Sequence, residues 1–101
     1  MLEKDFYQYC EQTLSKLFDE VEAFDEDCNF DTDYSDGILK IILPDGKTYI
    51  INRNLGNQKI WFSSPFSGAD YFAFNAEKKL WLNDLEIEIS NKLFDELKKI
   101  N

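Results

Sequence analysis

Histidine is absent from the 101 residues, and cysteine occurs only twice, at Cys10 and Cys28. Zinc sites are built mainly from Cys and His ligands, so the usual zinc constellations are excluded. The missing imidazole also removes the base that would activate Ser63, Ser64 or Ser67, and serine-hydrolase chemistry has no support. Two cysteines cannot frame a disulfide scaffold. They read as reduced, partly buried thiols in a reducing compartment, Cys10 on a helix and Cys28 at a strand start. No stretch approaches the roughly 20 apolar residues of a membrane span. The opening Met1-Leu2-Glu3-Lys4-Asp5 has neither the basic and apolar regions of a signal peptide nor the Arg-rich character of a transit peptide. The expected compartment is the bacterial cytoplasm, or the mitochondrial matrix or a related organelle where a presequence has been removed.

Positive charge is scarce as well. Eleven Lys and Arg stand against twenty Asp and Glu, a net charge of −9. Neutralising phosphates needs clustered basic residues, so a general nucleic-acid binder is disfavoured. Cations and basic protein surfaces are the expected partners. What the chain does have is a 44% hydrophobic and 16% aromatic content, including nine Phe, which argues against disorder despite the 31% charge. The length suits one domain over residues 1–101 and leaves no room for a second.

From Leu2 to about Phe24, apolar residues recur at helical spacing: Phe6, Cys10, Leu14, Leu17, Phe18, Val21 and Phe24. The period then falls to two. Phe30, Thr32 and Tyr34 predict a first strand, and Asp36-Gly37 a tight hairpin turn. Strands are predicted over 38–43, 47–52, 58–64 and 69–74, with a short one around 80–82. Asn83 or Asp84 is positioned to cap a last helix whose stripe is Leu85, Ile89, Leu93 and Leu97. Short connections imply antiparallel neighbours. The predicted fold class is α+β, a two-layer sandwich of helix, about six antiparallel strands and helix, with both helices on one sheet face.

Between Lys16 and Lys40 there is no basic residue, while the same span carries Asp19, Glu20, Glu22, Asp25, Glu26, Asp27, Asp31, Asp33 and Asp36. On a helix, Asp19, Glu22 and Glu26 fall along one line. Exposed oxygen ligands without a closed cage suit hard or borderline cations, held loosely with water completing the shell. A solvated acidic face that merely aids solubility is the other reading. An EF-hand is excluded, because Phe30 stands where the loop needs Gly and Asp36 where it needs Glu.

The other informative segment is 58–64. Ile60, Phe62 and Ser64 share one side of a strand, and Lys59, Trp61 and Ser63 the other. If the helices cover the Ile60/Phe62 set, Trp61 stands on the open face as a candidate hot spot; the opposite parity would bury it. Asn52, Arg53, Asn54 and Asn57 offer polar groups around it but no nucleophile–base pair.

The segment from Tyr49 to Gly68, with its Ile51-Asn52-Arg53-Asn54 strand end, Gln58-Lys59-Ile60-Trp61-Phe62 strand and Ser63-Ser64-Pro65-Phe66-Ser67-Gly68 turn, resembles the signature of the frataxins. The acidic first helix, the Asp36-Gly37 hairpin and the last helix fall in the same order, so the resemblance covers essentially the whole chain. It implies the same helix–sheet–helix fold. It further implies Fe2+ or Fe3+ bound weakly on an acidic ridge, carried onto Asp19, Glu20, Glu22, Asp25, Glu26, Asp27, Asp31 and Asp33. It implies docking on a cysteine desulfurase and an iron–sulfur scaffold protein through Asn52, Arg53, Asn54, Lys59 and Trp61. A mainly monomeric state follows, with iron-dependent oligomers an open alternative, and no organic cofactor is expected. The chain departs from the family pattern at Asn54 and Lys59, where Gln is common, and at Asp70 and Tyr71, where eukaryotic members carry basic residues. A weak ferroxidase activity, attributed to some family members, stays open as a third alternative, although no enclosed di-iron ligand set is visible. An acidic interaction or inhibitor module without a metal role is the competing function.

Overall fold

Glu3–Phe24 form one uninterrupted helix, α1, in the computed structural model, which describes residues 1–100. Its buried stripe is Phe6, Cys10, Leu14, Leu17 and Val21, the three- and four-residue steps that keep side chains on one helical face. Six strands follow: β1 Asp31–Ser35, β2 Ile38–Ile42, β3 Thr48–Asn54, β4 Lys59–Ser64, β5 Gly68–Asn75 and β6 Leu80–Leu82. They pair in sequence order as one antiparallel meander. The chain closes with α2, Ile89–Leu97, which buries Ile89, Leu93 and Leu97.

Both helices cover the same sheet face. Leu39, Ile41, Tyr49, Ile51, Ile60, Phe62, Phe72 and Trp81 point toward them and are almost wholly buried. Each such side chain contributes roughly 1.5–3 kcal/mol by leaving water. Phe6 meets Trp81 edge-on at 6.1 Å, and Phe24 contacts Phe94 at 5.7 Å, joining α1 to β6 and to α2. Among the described residues no helix is long and apolar enough to cross a membrane.

The end of the chain departs from expectation. The last helix starts at Ile89, not near Asn83, and Leu85 is 79% exposed instead of continuing the buried stripe. Asn83 Oδ1 accepts from the backbone N–H groups of Leu85 and Ile87, folding a local turn. The helix is capped by Glu88, whose carboxylate accepts from the N–H groups of Ser90 and Asn91 at 2.9 and 3.1 Å. A long Glu side chain in a role favoured by Asp, Asn, Ser and Thr is why the capping rule selected the wrong residue. The cysteines also differ. Cys10 is buried, and burial, opposed by the charge of Arg53, pushes its thiol up to about 12. Cys28 is exposed in the loop after α1, not at a strand start.

Asp70 on β5 clips α2 to the sheet. Its Oδ2 lies 3.0 Å from Lys92 Nζ and 2.8 Å from Asn83 Nδ2. Burial alone would raise its carboxyl, but the hydrogen bonds from Asn83, Lys92 and the Tyr71 N–H, with the charge of Lys92, hold it below the usual 3.8. A depressed folded value means the stabilisation is complete above 3.8 and fades as pH falls through the folded value. Lys92→Ala should therefore cost about 1–3 kcal/mol at neutral pH. In denaturation series carried down to about pH 2, the gap from wild type should narrow; a gap independent of pH would assign Lys92 a packing role only.

Candidate functional site

The sheet face turned away from the helices carries a continuous row set by strand register. Ser35 pairs with Ile38, Ile38 with Asn52, Asn52 with Trp61, and Trp61 with Tyr71, crossing five strands. Trp61 is 38% exposed and meets Tyr71, 45% exposed, edge-on at 5.5 Å and 82°. The parity that puts Trp61 outside is the one that seats Ile60 and Phe62 in the core. In the next row Asn54 pairs with Lys59 and Lys59 with Ala73, so Asn54 and Lys59 share the open face with Trp61. Asn54 Oδ1 also accepts from the Asn57 N–H at 3.2 Å, which closes the β3–β4 turn.

Arg53 does not join this face. It pairs with the inward Ile60, and its guanidinium lies over the Tyr7 ring of α1, 4.6 Å from the centroid. Strand alternation explains the correction: between the outward Asn52 and Asn54, residue 53 must turn to the helix side. Gly37 makes room for it, since a Cβ there would lie 2.6 Å from the guanidinium. Sequence reading also missed Tyr71 and Ile38 as neighbours of Trp61. The signal for Tyr71 was available, because the inward Phe72 fixes the parity of β5.

The carboxylates divide by element. Asp19 and Glu22 are exposed on the last turns of α1, whereas Glu20 is half-buried and turns away from them toward β6 and the start of α2. The helix ends at Phe24, so Glu26 leaves the predicted line and lies with Asp27 in the following turn, both exposed. Asp31 and Asp33 are exposed on the open-face side of β1, alternating with half-buried Thr32 and Tyr34. Tyr34 turns toward α1, where its hydroxyl donates to Glu11; burial first, then Glu11, push the phenol upward. β1 packs against α1, which brings the acidic end of the helix and the acidic edge strand to one end of the molecule.

Asp25 stands apart from the others. It is 8% exposed, and its two carboxylate oxygens accept the N–H groups of Asn29 and Phe30, each at 2.8 Å. Its geometry is that of a loop-closing residue where α1 ends. Lys40 sits opposite Asp33 across β1 and β2, a neighbour that spacing along the chain conceals. Even so, the salt bridges among the described residues are Lys47–Asp45 and Lys92–Asp70, neither of which involves the acidic end. No three carboxylates or thiols among the described residues converge as a ready-made metal cage. The arrangement suits loose, water-completed cation binding and not an enclosed centre.

The Ser-Ser-Pro-Phe-Ser-Gly turn is held by one acid on α2. Glu96 accepts from Tyr49 Oη at 2.9 Å, Ser64 Oγ at 2.5 Å and Ser67 Oγ at 2.7 Å. Ser64 Oγ in turn accepts the N–H groups of Phe66 and Ser67 at 3.0 and 3.1 Å. The two serines act in folding the β4–β5 corner, which sets the strand that displays Trp61. Nothing local in the sequence distinguishes Glu96 from Asp95, the other acid of α2.

The frataxin-like domain family model matches residues 1–100. The iron-sulfur cluster assembly protein CyaY of Thioalkalivibrio sulfidiphilus is 36% identical over 84 residues, covering 83% of this chain and 78% of that protein. Mitochondrial frataxin of Arabidopsis thaliana is 28% identical over 102 residues, covering 97% of this chain and 54% of that one, so this chain spans about half the length of the plant relative. Trimeric frataxin of the yeast Saccharomyces cerevisiae, complexed with ferrous iron, superposes with a TM-score of 0.78 at 28% identity, over 90% of this chain and 83% of that one. Since the match runs through both helices and all six strands, this chain belongs to the frataxin-like family.

Proposed function

We propose that this protein is an iron chaperone or regulator of iron–sulfur cluster biogenesis. It binds Fe2+ or Fe3+ loosely on exposed carboxylates and docks on the cysteine desulfurase–scaffold complex. Asp19, Glu22, Glu26, Asp27, Asp31 and Asp33 collect the metal, with Asp25 shaping the loop between them and Glu20 turned toward β6. Asn52, Asn54, Lys59 and Trp61 meet the complex, joined by Tyr71. The observation that carries this reading is the pairing of an acidic end free of salt bridges among the described residues with an outward Trp61–Tyr71 pair on the same sheet. The names of the bacterial relative and of the ferrous yeast complex support it.

A field of uncompensated charge speeds encounter with a basic surface and is screened over about 8–10 Å at physiological salt. Raising salt from low to physiological levels should therefore weaken binding to the desulfurase measurably, chiefly through the association rate. Binding unchanged across that range would remove electrostatics as the driver and leave docking to the open face alone.

A further inference from the structure

Two hollows lie side by side where the β2–β3 turn, the β4–β5 turn and the residues just after α2 meet. Their volumes are about 370 and 330 Å³, within the range of small-molecule sites. Both are lined by Phe66, Lys99 and Ile100, so they form one trough with Phe66 between its halves. Leu43 and Pro44 extend the apolar wall on one side. Phe66 is 51% exposed, although its ring reaches Tyr49 on the core side at 6.1 Å. A large ring with apolar hollows beside it forgoes contacts that a ligand's carbon chain would supply.

The charged groups of the trough are not equally engaged. Asp45 is held by Lys47 at 2.8 Å, and Glu96 receives the hydroxyls of Tyr49, Ser64 and Ser67. Lys99 forms no salt bridge among the described residues. Both acceptors are therefore supplied with donors, and one cationic donor is left at the junction of the two halves. We propose that this trough binds a medium-chain fatty acid. Its alkyl chain lies along Phe66, against Leu43, Pro44 and Ile100, and its carboxylate is taken by Lys99. A nucleotide needs several cations for its phosphates, whereas a single carboxylate needs one. No carboxylate assigned to iron and no residue of the open face takes part.

The test uses the whole chain, isotope-labelled and free of iron, with amide shifts read residue by residue. Octanoate, hexanoate, octanol, octylamine and the peptide acetyl-Leu-Leu-Glu are added at matched ionic strength, below any micelle-forming concentration. Octanoate should give saturable shifts confined to residues 43–47, 65–68 and 96–100. Hexanoate should bind about fivefold to tenfold more weakly, since two fewer methylenes leave water. Octanol should bind about threefold to fivefold more weakly, the effect of losing one exposed ion pair, and octylamine more weakly still. Lys99→Ala, at an exposed position, should bring octanoate down to the affinity of octanol. Phe66→Ala should weaken octanoate and octanol alike, by about fivefold or more. No saturable shift with octanoate would overturn the proposal, as would equal affinity for octanoate and hexanoate. So would octanol or octylamine binding as tightly as octanoate, or a Lys99→Ala variant that keeps the preference for the acid. The same shifts on raising protein concentration alone would give the trough to a second copy of the chain. Tighter binding of the peptide would give it to a segment of a partner protein. Either result also overturns the proposal.

Discussion

Trp81→Ala is expected to cost about 3–5 kcal/mol of folding stability, the range for deleting a buried aromatic ring, while Trp61→Ala costs about 0.5–1.5 kcal/mol. The two tryptophans stand on strands of the same sheet but on opposite faces. Trp81 is 2% exposed and packs on Phe6 and Phe74, so its removal opens a cavity that α1 and β6 cannot close. Trp61 is 38% exposed and has Tyr71 as its aromatic contact, so truncation removes one edge-to-face pair from a ring that solvent already reaches and opens no closed cavity. For partner binding the order reverses: Trp61→Ala should weaken docking on the desulfurase–scaffold complex by about 2 kcal/mol or more, as for a hot-spot aromatic. Denaturation and binding measured on both variants check this. A several-kcal/mol stability loss at Trp61 would mean that its ring is sealed in the core. Unchanged docking would separate the open face from the interface.

Glu96→Ala is expected to destabilise the fold by about 2–4 kcal/mol, several times the effect of an ordinary surface acid. The carboxylate receives three hydroxyl donors, and one of them, Tyr49 Oη, belongs to a residue that is 0% exposed. With the acceptor gone, that phenol is left buried and unpaired, which costs more than the bond itself contributes. Burial first, and then the bond to Glu96, push the Tyr49 phenol upward, so it remains a donor throughout the physiological range. Glu96→Gln tests the same network more gently: its amide oxygen still accepts two donors, and the loss should be about 1 kcal/mol. Urea denaturation of both variants distinguishes a network from surface charge. Equal, sub-kcal/mol losses would show that the three bonds do not act together.

The helix–sheet–helix order was legible in the sequence because its periods are clean. Phe6, Cys10, Leu14, Leu17 and Val21 keep helical spacing, and the strands alternate between core and solvent. The parity that exposes Trp61 followed from the same alternation, as did the face it shares with Lys59. Arg53 is the exception, because the polar run Asn52-Arg53-Asn54 looks like one patch along the chain, whereas a strand must send its middle residue the other way. The start of α2 was misplaced because Asn83 satisfies a turn that leaves the cap to Glu88. The acidic run was visible as composition, but Asp25's commitment to two backbone N–H groups and Lys40's place opposite Asp33 arise only from loop closure and strand register. Glu96 was invisible for the same reason: its three partners lie 29 to 47 residues away.

The sharpest test of the account is an anaerobic titration of the isotope-labelled protein with Fe2+, read residue by residue from NMR line broadening. Broadening confined to the end of α1, the following turn and β1, across residues 19–33, with the Trp61 and Trp81 indoles unaffected, is the predicted result. Signals that broaden evenly over the whole chain, or not at all, would contradict it and leave an acidic interaction module without a metal role.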